Sequence, residues 1–201
     1  MTYYTLSDPC TATLEIKKSQ FLGFGFAIDS REQLMFHVEQ LRNQYPDARH
    51  VCYGYIIGDP HNTTSAGFDD DGEPSGTAGK PILNVLQHKA IGHCAVIVVR
   101  YFGGIKLGAG GLTRAYSATA QAVVDNMNLH EFVPFTFVTI NTDFANESFV
   151  RHVVENLNGK ISEVQYAKDV MLSVEMAEKS IAQLIETIGF YGKVQTLAPS
   201  D

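Results

Sequence analysis

Residues 95–111 read AVIVVRYFGGIKLGAGG: five branched or small apolar residues, Arg100, two aromatics, then five glycines among nine residues. With its flanks, HCAVIVVRY is the strongest strand in the chain and reads as a buried, central one. Glycine permits backbone angles closed to other residues and lets a ligand approach closely. A strand that leaves through a glycine turn and resumes as a helix gathers unpaired N–H groups at one point. The helix dipole adds positive potential there. Such a point suits phosphate or carboxylate. The candidate anion-binding set is therefore Gly103, Gly104, Gly108, Gly110 and Gly111, with formal charge from Arg100, Lys106 and Arg114. Arg49 and Lys80 are second-rank members, and Tyr101 and Phe102 are candidates for stacking bases, one of them having to turn toward the core.

Known nucleotide fingerprints do not fit. A P-loop needs glycine where Pro74 stands and Ser or Thr where Pro81 follows Gly79-Lys80. The dinucleotide pattern fails because Thr113 occupies the last glycine position after Gly108 and Gly110. A tight packing turn between sheet and helix explains the same glycines, and both readings stand.

The second concentration of signal is GFDDDGEPSGTAGK, within a polar stretch that begins at Asp59 and reads as one long loop. Asp69, Asp70, Asp71 and Glu73 are oxygen ligands of the kind Mg²⁺ or Ca²⁺ takes, but the EF-hand spacing is missing. A solvated acidic turn is the alternative, and the expectation is an exposed loop with no tight metal site. Ser75, Thr77 and Gly79 precede a helix and offer further anion-binding groups. His50 and Cys52 share a strand face, whereas His93 and Cys94 lie on opposite faces, so no zinc site is expected. No metal or other cofactor is implied. The scattered Cys10, Cys52 and Cys94 read as reduced thiols.

Periodicity predicts strands at Ala12–Lys18 and Gln20–Ile28, and a helix from Ser30 with Leu34, Val38, Leu41 and Tyr45 on its apolar stripe. A strand at His50–Gly58 follows, then a short helix from Pro81, the central strand, and a helix carrying Leu112, Ala115, Tyr116, Thr119, Ala122 and Val123. A boundary falls near His130–Pro134, giving domains 1–131 and 132–201. Beyond it, FTFVTINTD, NESFVRHVVENLN, KISEVQYA, DVMLSVEM, EKSIAQLIETI and YGKVQTL alternate as β-α-β-β-α-β, the ferredoxin-like order.

The 201 residues, 45% hydrophobic and 18% charged, describe an ordinary globular protein with no span long enough for a membrane, and its mixed strands and helices read as α+β. The start lacks a signal-peptide pattern, which predicts a cytoplasmic protein. A net charge of −7 argues against a protein coated in basic residues for non-specific nucleic-acid binding, while leaving room for a local basic patch.

GFDDDGEPSGTAGKPIL followed by VVRYFGGIKLGAGGLTRAY, with PDARHVCYGY before them, closely resembles the IMPACT family, and the full layout resembles its bacterial YigZ-like branch. The resemblance implies an N-terminal domain like the second domain of ribosomal protein S-five and domain IV of elongation factor G. It also implies a ferredoxin-like C-terminal domain like domain V of that factor. Eukaryotic members regulate translation through a partner protein bound by an N-terminal RWD domain, which this sequence does not contain. What carries over is an association with translation, with RNA or the ribosome as expected partner and a protein partner in translation control as a further one. The family supplies no catalytic residues. The reading is thus a non-enzymatic, translation-associated regulator. A metal-dependent phosphohydrolase or phosphotransferase using the Asp-rich loop, and a protein–protein adaptor, are the alternatives.

Overall fold

A computed structural model describes residues 3–196. The chain divides into two compact units, Met1–Phe132 and Val133–Asp201. Among the described residues, no helix is long and apolar enough to cross a membrane.

The first unit is built on five strands: β2 (Cys10–Ile16), β3 (Ser19–Ala27), β4 (His50–Asp59), β5 (Asn62–Asp69) and β6 (Cys94–Tyr101). They pair in the order β2-β3-β6-β4-β5, so the strand that reads as central in the sequence is central in the sheet. Short strands β1 (Tyr4–Leu6) and β7 (Leu129–Glu131) pair antiparallel as a separate ribbon. Helix α1 (Arg31–Gln44) covers one face through Leu34, Val38 and Leu41. Its cap is a displaced capping box: Ser30 Oγ accepts from Gln33 N, while Gln33 Oε1 accepts from Asp29 N rather than from the cap's own amide. Helices α2 (Gly79–His88) and α3 (Ala109–Asp125) cover the other face. Glycines in β3 admit α3 closely, since a Cβ on Gly23 would come within 2.5 Å of Val123 Cγ2.

Because both faces are covered, β6 is buried without alternation. Cys94, Val96 and Val98 enter the core under α2 and α3, and Ala95, Ile97 and Val99 enter the core under α1.

The second unit has β8 (Phe135–Thr142), α4 (Glu147–Asn156), β9 (Lys160–Tyr166), β10 (Val170–Ala177), α5 (Ile181–Ile188) and β11 (Lys193–Thr196). Its four strands pair as β11-β8-β10-β9, all antiparallel, around a core that includes Val138, Ile140, Leu172, Val174, Val150, Val154 and Leu184. This is the β-α-β-β-α-β order that the periodicity predicts.

Several expectations are corrected. Asn62–Asp69 is not loop but the edge strand β5, mostly exposed and hidden by its polar composition. Lys17 and Lys18 are not strand; they form the two-residue turn between β2 and β3, both with positive φ. In α3, Ala120 is buried beside the predicted Ala115 and Thr119, whereas the predicted Ala122 is only half-buried. The helix predicted from Glu178 begins as an α-helix at Ile181, after a single 3₁₀ turn. Leu197, predicted to end the last strand, lies outside the described residues.

A self-contained core in the second unit has a direct consequence. Val133–Asp201 expressed alone should unfold in one cooperative thermal transition; a fragment lacking such a transition would show that its core depends on the remainder of the chain.

Candidate functional site

The site grows from the end of β6. Strand parity points Arg100 to the same side as Val96 and Val98, beneath α3, and Tyr101 to the opposite side with the α1 core. Arg100 is accordingly 5% exposed. A buried guanidinium needs a partner, and Glu73, brought in by the acidic loop, supplies it: Arg100 Nη1 donates to Glu73 Oε1. Tyr116 of α3 donates its hydroxyl to the same oxygen at 2.9 Å. The Cys52 thiol of β4 lies 3.4 Å from the Tyr116 hydroxyl and 3.0 Å from the Asp70 carbonyl oxygen. Burial pushes both Tyr116 and Cys52 well above their ordinary pKa values, so both stay neutral hydrogen-bonding groups.

The acidic loop is therefore not a solvated turn. Asp70 Oδ1 accepts from the amides of Ala78 and Gly79 at 3.0 and 2.8 Å, and its Oδ2 accepts from Gly76 N at 2.6 Å. It caps the N-terminus of α2 and compensates its orphan donors. Asp71 takes Arg42 at 2.7 Å on one oxygen and the Val51 amide at 2.7 Å on the other. Only Asp69 of the three aspartates is exposed. Among the described residues, no three His, Cys, Asp or Glu side chains are grouped to hold a metal ion. Two of the anion-binding groups expected before α2 are likewise engaged within the protein, Gly79 N on Asp70 and Thr77 Oγ1 on the Pro74 carbonyl, while Ser75 is exposed.

At the glycine run, separate causes operate. Gly103 is a packing glycine, because a Cβ there would fall 2.0 Å from the Lys18 carbonyl carbon. Gly104 and Gly108 hold φ of +84° and +70° with open space before them. Gly110 has neither reason: its nearest neighbour to an added Cβ is Arg114 Nη1 at 3.6 Å. Gly111 is intermediate, with Leu107 Cβ at 3.1 Å. A glycine inside a helix costs roughly 0.5–1 kcal/mol relative to alanine, so Gly110 leaves the helix start bare without an internal packing gain.

That start is also uncapped. Gly108 provides no side chain, and the first intrahelical bond runs from Leu112 N to Gly108 O at 2.9 Å. Among the described residues, the amides of Ala109, Gly110 and Gly111 have no hydrogen-bond partner. The positive end of a 17-residue helix is presented to solvent.

Two cavities adjoin it. One of about 250 Å³ is lined by Arg100, Glu73, Phe102, Lys106, Gly108 and Leu112, among others. The other, of about 320 Å³, includes Lys17, Gly111 and Arg114, and Leu107 lines both. Lys106 and Arg114 are exposed and flank the helix start on different sides. Arg100 reaches the first cavity only as a buried, ion-paired side chain, which removes it from the expected charged surface. Arg49 and Lys80 are exposed but line neither cavity.

Sequence reasoning missed Lys17. It and Lys18 occupy left-handed backbone, φ 48° and 66°, in a two-residue turn that usually takes Asn-Gly. The signal was present as a Lys-Lys pair between two apolar alternations, but it reads equally well as strand.

Residues 17–124 match the family described as the Impact N-terminal domain. The IMPACT family member YigZ of Escherichia coli (strain K12) is 34% identical over 192 residues, which cover 94% of this chain and 94% of its own. A solved structure described as the crystal structure of an hypothetical protein superposes with a TM-score of 0.72 at 32% identity, over 100% of this chain and 98% of its own. The two-domain translational regulator Yih1 aligns over 61% of this chain and 46% of its own at 26% identity, with a TM-score of 0.34, too low to inform the fold.

The buried node yields two stability predictions. Asp70→Ala strips one carboxylate from three amides and should cost at least about 2 kcal/mol in a denaturant titration. Glu73→Ala leaves a buried guanidinium unpaired and should cost about 3–5 kcal/mol, much of it recovered in the double variant Glu73→Ala with Arg100→Met. A Glu73→Ala protein as stable as the parent would show that the pair is not needed.

Proposed function

The chain belongs to the IMPACT family, and from that premise we propose that it is a non-enzymatic regulator associated with translation that holds RNA or the ribosome at the start of α3. The translation side follows the family, whose eukaryotic members the sequence resemblance marks as regulators of translation. The binding side rests on one observation: a long helix begins with three free amides and no cap, between exposed Lys106 and Arg114. Phosphate is the ligand this combination fits best, and an RNA backbone repeats it. Lys17 in the second cavity extends the cationic track on the Arg114 side. With a net charge of −7 the protein has no general attraction for polyanions, so binding depends on this local geometry. The engagement of Asp70, Asp71 and Glu73 by protein donors supports a binding role over metal-dependent phosphoryl chemistry.

The test is cosedimentation with ribosomes, and RNA binding, across a salt series for the parent and for Lys106→Ala with Arg114→Ala. Exposed charges contribute little to stability, so the double variant should melt as the parent does. Its binding should weaken, and the salt dependence should flatten by about one unit of slope for each phosphate that is no longer neutralised. Parental binding at every salt concentration would overturn the reading.

A further inference from the structure

We propose that the cavity beside the start of α3 takes one nucleotide unit, its phosphate on the free amides and Lys106 and its base stacked against Phe102 with one edge at the cavity floor. The inference rests on the anion-binding reading of the same helix start, and adds to it a ring-binding half.

Two observations made at different places meet in this cavity. The helix contributes Gly108 and Ala109 to its lining and has no cap. Independently, Arg100 lines it as well, and Arg100 Nε is buried with no hydrogen-bond partner among the described residues. The rest of that guanidinium is engaged by Glu73 and, more distantly, Ser19. An unmatched donor in so enclosed a place costs stability unless an acceptor arrives from outside.

A bare phosphate would need only the amides and Lys106. The cavity is larger than that and has apolar walls, formed by Pro74, Phe102, Leu107 and Leu112. Phe102 remains 46% exposed, and the Arg100 guanidinium carbon sits 5.9 Å from its ring centre. A flat ring is the body such walls fit, and aromatic side chains are the usual stacking partners of unpaired bases.

Charge sets the orientation. The Glu73 carboxylate at the floor repels a phosphate, so the phosphate belongs at the helix end with Lys106. At the floor, Arg100 Nε is a free donor, and Glu73 Oε2 has no hydrogen-bond partner among the described residues. A base edge bearing both an acceptor and a donor matches that pair. A free mononucleotide and one nucleotide of a single-stranded RNA share this chemistry.

Calorimetry on the full chain distinguishes them, using the four nucleoside 5′-monophosphates, the matching nucleosides, inorganic phosphate and a single-stranded RNA oligomer. At least one monophosphate should bind ten or more times tighter than both its nucleoside and inorganic phosphate. Phe102→Ala should abolish that advantage while leaving phosphate binding and the melting temperature unchanged. Monophosphates binding no tighter than phosphate would overturn the pocket; if RNA binding still depended on Lys106 and Arg114, the phosphate surface would stand without it. Monophosphate binding with no RNA binding would sustain the pocket as a free-nucleotide site and remove the RNA reading.

Discussion

The ion pair between Arg100 and Glu73 holds the first unit's functional end together. One carboxylate oxygen receives the last charged side chain of the central strand and the hydroxyl of Tyr116 on α3. Cys52 on β4 and the Asp70 carbonyl close the same cluster. Strand, neighbouring strand, helix and loop are thereby fixed at one buried point, where a missing partner would leave a charge without solvent or counter-ion. The glycine turn begins immediately beyond it, so the geometry of the helix start depends on this pair.

The acidic stretch illustrates how charge can serve the interior. Asp70 caps α2 from within, and Asp71 ties β4 to α1 through the Val51 amide and Arg42. Glu73 goes under α3. Three acids that look like a ligand set are thus dispersed to three structural tasks. By contrast, the basic residues near the α3 start, Lys17, Lys106 and Arg114, are exposed. The acidic groups have been drawn inward, and the cations and bare amides face outward.

Much of the architecture was legible. The alternation of β8 and β10, the stripe of α1 and the dense apolar run of β6 each carry their period openly, because one or both faces are buried. Edge strand β5 did not, since its residues are mostly polar or small and, among the described residues, it pairs with β4 alone. Ribbon strands β1 and β7 are three residues each, too short to show a period. At the site, the glycine turn and the flanking cations were visible as types, while their grouping was not. Lys106 and Arg114 are eight positions apart in sequence yet flank one helix end from different cavities. Lys17 joins them from a distant hairpin.

By itself the sequence determined the family, the α+β layout and the central strand that runs into a glycine turn, because these rest on local periodicity and on residues with special backbone freedom. Only the tertiary structure decided the fate of the charges. Arg100 is an ordinary cation when read along the chain; strand parity under a second covering layer buries it and obliges Glu73, twenty-seven positions earlier, to meet it. Which acids are partners, which amides stay free and which cations remain in water are long-range outcomes. They are set by which groups packing removes from solvent, and no local pattern encodes that.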